Sequence, residues 1–250
     1  METASFSALR SWAGTRFGGT PAEGRAHLIA DLDSIAFPLF VPGDRPERYG
    51  KAAGAGADAV IIDLEDAVAP GAKDAARDAL VAARAAIAGA PVPVIVRINS
   101  WNSPAHARDC EALSRLPLAA VMLPKAESAE SIFLVSKATG LPVIGLIESA
   151  RGLSASRTIA EPAARLAFGS IDYAADLGCS HTRQALLAAR SELVVASRLA
   201  GRPTRWPATG RAKLMSLGPT AFLEPASVKG LRLSPATWSM RRCCGALSRS

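Results

Sequence analysis

The sequence predicts a parallel α/β fold of the TIM-type (β/α) barrel class, with six of its eight βα units recognisable and the C-terminal units missing or replaced. Three observations carry this expectation. Short apolar runs recur about every 22 to 34 residues between Phe37 and Phe168, alternating with helical stretches, as parallel strands joined by crossover helices require. The chain is 49% hydrophobic but only 5% aromatic, so its core must be built from alanine, valine, isoleucine and leucine, as layered barrel interiors are. The apolar runs also stop at a turn residue or a charged group before the next helix begins, the pattern of a strand buried on both faces.

Taken in order, the first strand covers 37–41 and is closed by Pro42-Gly43. A helix follows over 45–55, with Pro46 in its first turn, where a missing N–H costs nothing. The second strand, 59–63 (AVIID), ends in the acidic cluster Asp63, Glu65 and Asp66, and an alanine-rich helix spans 72–88. Strand three, 93–98 (PVIVRI), carries Arg97 near its end. A helix over 106–116 leads to strand four, 119–123, which stops at Pro124-Lys125. After a helix over 128–138, strands five (142–147) and six (165–168) are followed by Glu148 and Asp172, with helix starts at Ser149 and Tyr173. A last helix covers 182–199.

Three segments result: an irregular N-terminal extension over 1–36, an incomplete (β/α) barrel over 37–200, and an atypical basic tail over 201–250. The tail holds five prolines, six serines and nine Lys/Arg against one acid. The net charge of +7 is therefore a property of the tail, and the barrel segment is close to neutral. With no RNA- or DNA-binding motif and few aromatics among the arginines, a nucleic-acid partner is not expected. No apolar run reaches the length of a membrane span, so no membrane partner is expected either. Cys110, Cys179, Cys243 and Cys244 lack CxxC spacing, which fits a reducing cytoplasm better than a disulfide framework or a zinc site.

Functional groups of a barrel lie at or just past the carboxyl ends of its strands. That filter selects Pro42-Gly43, Asp63, Glu65 and Asp66, Arg97 and Asn99, Lys125 and Glu127, Glu148, and Asp172. Glu148 and Asp172, one βα unit apart, are two hard oxygen donors at one edge, which suits Mg²⁺. The same acids could equally be N-caps or solvated turn charges. Arg97, in an otherwise apolar strand, would give an anion-binding group beside them. Lys125 could simply answer Glu127. The histidines His27, His106 and His181 have no partner at metal-ligand spacing, and Ser149 and Ser170 lack a nucleophile-elbow context.

The blocks LFVPGDRPERYGKAAGAGADAVIIDLEDAV, VIVRIN, VMLPKAES, GLIESARG and FGSIDYAADLG resemble, in order and spacing, the citrate lyase beta-subunit group of the HpcH/HpaI aldolase family. The resemblance runs from about residue 37 to 200 and implies a β/α barrel. It implies that Glu148 and Asp172 ligate Mg²⁺, and that Arg97, with Glu148, binds the substrate. Arg97, Asp63 and Glu65 are then the catalytic set, the two acids orienting metal-bound waters. The implied reaction is retro-aldol or Claisen-type cleavage of a short 3-hydroxyacyl-CoA such as citryl-, malyl- or citramalyl-CoA. Thioester hydrolysis and free oxo-acid substrates stay open, as does an inactive remnant. A homo-oligomer is expected where the barrel is complete. Nothing in 201–250 resembles the family's corresponding region.

Overall fold

The computed structural model describes residues 32–202, and the basic tail lies almost wholly outside them. Within that span are six strands: β1 (Pro38–Pro42), β2 (Ala59–Asp63), β3 (Val94–Arg97), β4 (Ala120–Leu123), β5 (Val143–Ile147) and β6 (Arg165–Phe168). All neighbouring pairs are parallel, and spatial order follows chain order from β1 to β6. A sheet wound in one direction curls, and these six strands form a half-barrel with the predicted α/β architecture. Among the described residues, no strand pairs with the outer edge of β1 or of β6.

Side-chain alternation explains why the runs are continuously apolar. Val60, Ile62, Val94, Val96, Val121, Leu123, Val143 and Ile147 belong to the layer between sheet and helices. Their neighbours Ala59, Ile61, Ile95, Ala120, Met122, Ile144 and Leu146 point into the concave interior. Both faces are dry, so the strand interiors are apolar and the charged residues Asp63, Arg97 and Arg165 fall at strand ends. Burying one such branched side chain contributes roughly 1.5–3 kcal/mol. The interior is closed below by Leu32 and Ile35, which are almost fully buried against it. Arg165 Nη1 ties that segment down by donating to the carbonyls of Leu32 (2.6 Å) and Ile35 (2.9 Å).

The helices are α1 (Tyr49–Ala53), α2 (Lys73–Ala82), α3 (Arg84–Ala88), α4 (His106–Leu113), α5 (Ala129–Thr139), α6 (Ala150–Ser154), α7 (Ser156–Ala160), α8 (Ser170–Leu177) and α9 (Leu187–Leu199). Several depart from expectation. The stretch 45–55 opens as a 3₁₀ turn at Pro46–Arg48 before α1. The predicted helix over 72–88 breaks at Ala83, whose backbone (φ −77°, ψ 6°) leaves the helical region. The last helix begins at Leu187 rather than 182, after a turn in which the Ala185 N–H donates to Thr182 Oγ1. Threonine favours such local bonds over helix propagation.

Candidate active site

The carboxyl ends of β2 to β6 deliver one connected set of charged side chains. Asp63, the last residue of β2, stands in register with Arg97, the last of β3. Their side chains meet as a two-pronged pair: Arg97 Nε donates to Asp63 Oδ1 (2.8 Å) and Nη2 to Oδ2 (2.6 Å). The same carboxylate accepts from the N–H groups of Glu65 (2.9 Å) and Ala67 (3.1 Å), so it also folds the loop after β2. Arg97 Nη1 lies 3.1 Å from Glu65 Oε2 and 3.5 Å from Asp66 Oδ2, and the guanidinium sits 5.4 Å over the Phe40 ring. Burial would lower the Arg97 pKa, but its hydrogen bonds and charge pairing with Asp63 hold it above the usual range. It stays charged at any working pH.

Glu65 reaches the other way. Its Oε1 accepts from Lys125 Nζ at 2.8 Å, across β3. Its Oε2 is buried without a hydrogen bond, because the nearby Arg97 N–H is not aligned on it. Burial raises the Glu65 pKa, opposed by Arg97 and Lys125. Glu148 follows β5 directly and is 5% exposed. Its Oε2 accepts from the Lys125 main-chain N–H at 2.9 Å, and its side chain lies flat on Gly169. Burial, and then the neighbouring Glu65 charge, push Glu148 up to about 7; Asp172 adds to the rise, while the Lys125 N–H and Arg97 oppose it.

Asp172 is displaced from its expected place. It does not sit at a strand end before a helix starting at Tyr173; β6 stops at Phe168 and α8 starts at Ser170, so Asp172 lies in the first helical turn, half-buried. A helix N-terminus favours an anion there. Its charge is felt at Glu148 nevertheless. Among the described residues, no three His, Cys, Asp or Glu side chains form a ready-made metal cage.

Several other strand-end residues serve the scaffold. Asn99 donates to Asp109 Oδ2 (2.6 Å) and to the Leu64 carbonyl (3.0 Å), away from the acid cluster. Lys125 answers Glu65, whereas Glu127 accepts from Ser149 Oγ (2.7 Å) and pairs with Arg151 (3.4 Å). His106 Nδ1 contacts the Asn99 carbonyl and His181 contacts Ser170 Oγ; His27 lies outside the described residues. Gly169 escapes sequence reasoning because it carries no chemistry of its own; Lys125 is selected by the strand-end filter, but its partner is Glu65, 60 residues away, and not Glu127. The lysine's charge at a strand end was the available signal.

The mouth therefore gathers the buried Asp63, Glu65 and Glu148 and the exposed Asp66 around Arg97 and Lys125, with the charge of half-buried Asp172 felt at Glu148: five carboxylates against two cations. That surplus of buried negative charge beside a fixed guanidinium suits a cation and an anionic small molecule together. The sequence profile of the HpcH/HpaI aldolase/citrate lyase family matches residues 37–204. The chain belongs to that family. A citrate lyase subunit beta-like protein of Mycobacterium tuberculosis is 44% identical over 149 residues, which are 59% of this chain and 52% of that protein. The chain thus spans about half the length of that relative. The M. tuberculosis citrate lyase beta subunit complexed with oxaloacetate and magnesium superimposes with a TM-score of 0.59 at 38% identity, over 69% of this chain and 78% of the other. The CitE protein of the same organism, in complex with magnesium, acetoacetate and coenzyme A, gives 0.58 at 38% identity, over 68% and 65%.

Proposed function

We propose that this chain is an Mg²⁺-dependent carbon–carbon lyase of the retro-aldol or Claisen type, acting on a short 3-hydroxyacyl-CoA of the citryl, malyl or citramalyl class. The observation that carries this reading is the buried surplus of carboxylates at the strand mouth, with Arg97 fixed beside it. The donor set fits a hard divalent cation. Glu65 Oε2 is buried with its lone pairs unspent, and Glu148 is pushed up to about 7 because no positive charge fully offsets its burial among acids. Glu148 and Asp172 would hold the ion, leaving most of its positions to water and substrate. Bound there, Mg²⁺ supplies Lewis-acid polarisation of a 2-oxo or hydroxy oxygen and offsets the charge that develops on cleavage.

The protein's own groups do the rest. Asp63 spends two oxygens on Arg97 and fixes its plane, and Nη1, which faces Glu65 (3.1 Å) and Asp66 (3.5 Å) without an aligned hydrogen bond, is the edge that a substrate carboxylate or carbonyl oxygen would engage. Glu65, held between Arg97 and Lys125, orients water at the mouth. Burial of Asp63, Glu65 and Glu148 keeps bulk water away and strengthens each of these interactions. The magnesium, oxo-acids and coenzyme A in the names of the M. tuberculosis complexes support the same substrate class. Cys110 and Cys179 are free thiols, which supports a cytoplasmic setting; no helix among the described residues is long and apolar enough to cross a membrane. We also expect homo-oligomers and no nucleic-acid or membrane partner.

The test is to incubate the purified chain with malyl-, citramalyl- and citryl-CoA, with and without Mg²⁺, and to identify products by mass spectrometry. The expected result is Mg²⁺-dependent release of a shorter acyl-CoA and an oxo-acid, lost in Glu148→Gln and in Asp172→Asn. Turnover retained in both variants overturns the reading. Release of free CoA with the acyl carbon skeleton intact assigns thioester hydrolysis instead.

A further inference from the structure

Lys125 is the one non-glycine residue with positive φ among those described, at +49°. The left-handed region suits glycine, and outside glycine it favours asparagine or aspartate; lysine gains nothing there intrinsically. A backbone held in such a region persists where the surroundings over-determine it, and an observed outlier points toward function. The surroundings here are specific. Pro124 precedes Lys125 with its own φ fixed by the ring. Ala126 follows, buried, donating its N–H to the Leu146 carbonyl at 3.1 Å, and its own carbonyl packs so closely on Gly152 that a Cβ there would come within 2.6 Å. The loop after β4 is thus pinned on both sides of Lys125.

The two ends of this residue reach two different acids. Its main-chain N–H points at Glu148 Oε2 (2.9 Å), on the β5 side, and its ammonium reaches Glu65 Oε1 (2.8 Å), past β3 on the β2 side. Gly169 lies against the Glu148 side chain, where an added Cβ would come within 2.4 Å of Cγ and 2.5 Å of Oε1. We propose that Lys125 is a positioning residue: its left-handed backbone aims the Glu148 carboxylate, while its side chain holds Glu65 apart from it. The proposal rests on the cation-binding reading above and adds the element that sets the geometry of that site. A lysine serving only to offset the Glu65 charge would need its ammonium and no particular backbone.

Two substitutions separate these roles, since both remove the ammonium and differ in backbone preference. Glycine adopts the left-handed region freely, and β-branched valine resists it. Mn²⁺ binding to the full chain, followed by electron paramagnetic resonance below the unfolding range, should be at least tenfold weaker in Lys125→Val than in Lys125→Gly, the lost ammonium being common to both. Equal affinities in the two variants overturn the proposal. A second measurement stands apart from metal binding: amide hydrogen exchange should find the Lys125 N–H protected in the wild type and exchanging faster in Glu148→Ala. If the wild type binds no Mn²⁺, the cation reading fails, yet that protection pattern still supports the positioning role. An unprotected Lys125 amide in the wild type overturns it.

Discussion

As a proposed cation ligand, Glu148 faces two conflicting demands. Ligation requires the ionised carboxylate, while burial beside Glu65 favours the protonated one and pushes the group up to about 7. A carboxyl raised from 4.5 to about 7 by folding binds a proton in the native state that the unfolded chain has released. Without the cation, native stability should therefore fall as pH rises from about 4.5 to 7 and level off above, a slope that Glu148→Gln removes. Cation affinity should run the other way, losing about tenfold per pH unit below 7. Isothermal titration at several pH values checks this; a flat affinity between pH 5.5 and 7 contradicts it. Gly169 gives a second residue-level prediction. An added Cβ would sit 2.4 Å from Glu148 Cγ and 2.5 Å from Oε1, although the backbone there (φ −84°) accepts any residue. Gly169→Ala should cost about 1–3 kcal/mol by overcrowding, and should weaken cation binding at least tenfold in the same titration. At this scale Asp63, Glu65, Arg97 and Glu148 were legible because each is a charge at the end of an apolar strand. Lys125 was legible as a strand-end charge but not in its left-handed backbone, and Gly169 was not legible, since its role rests on the absence of a side chain.

Between elements, a fully buried charge behind the site ties two helices to the sheet. Asp109 on α4 is fully buried; its Oδ1 accepts from Arg77 Nη1 of α2 (2.8 Å), and its Oδ2 from the Asn99 N–H (2.8 Å) and Nδ2 (2.6 Å) just past β3. Arg77 also pairs with Asp74. One carboxylate thus fastens two helices to the strand that carries Arg97. Removing one partner of a buried ion pair strands the other, at about 3–5 kcal/mol. Asp109→Ala should lower unfolding stability in urea by that amount, and a loss below about 1 kcal/mol would contradict the assignment. Strands were readable because dry faces on both sides demand unbroken apolar runs. Helix limits were less so: the break at Ala83 and the start at Leu187 depend on loop geometry and on Thr182 bonding locally, which periodicity does not encode. Asp109 was hidden for a related reason, as a polar residue on an amphipathic helix that points inward only once its arginine is in place.

For the molecule as a whole, sequential winding brings the ends of β2, β3, β4 and β5 to one mouth, although Asp63 and Glu148 are far apart in the chain. Family membership rests on residues 37–204, a span that holds all six strands. The number of strands was legible from the alternation of runs; the curl of the sheet was implied only by their unbroken order. As proposed, one divalent cation binds at this mouth between Glu148 and Asp172. Equilibrium titration of Mn²⁺ against the full chain, read by paramagnetic resonance, should find one saturable site per chain, displaced by Mg²⁺ and abolished in Glu148→Gln and in Asp172→Asn. A wild-type chain that binds no ion, or variants that bind it unchanged, would contradict the proposal.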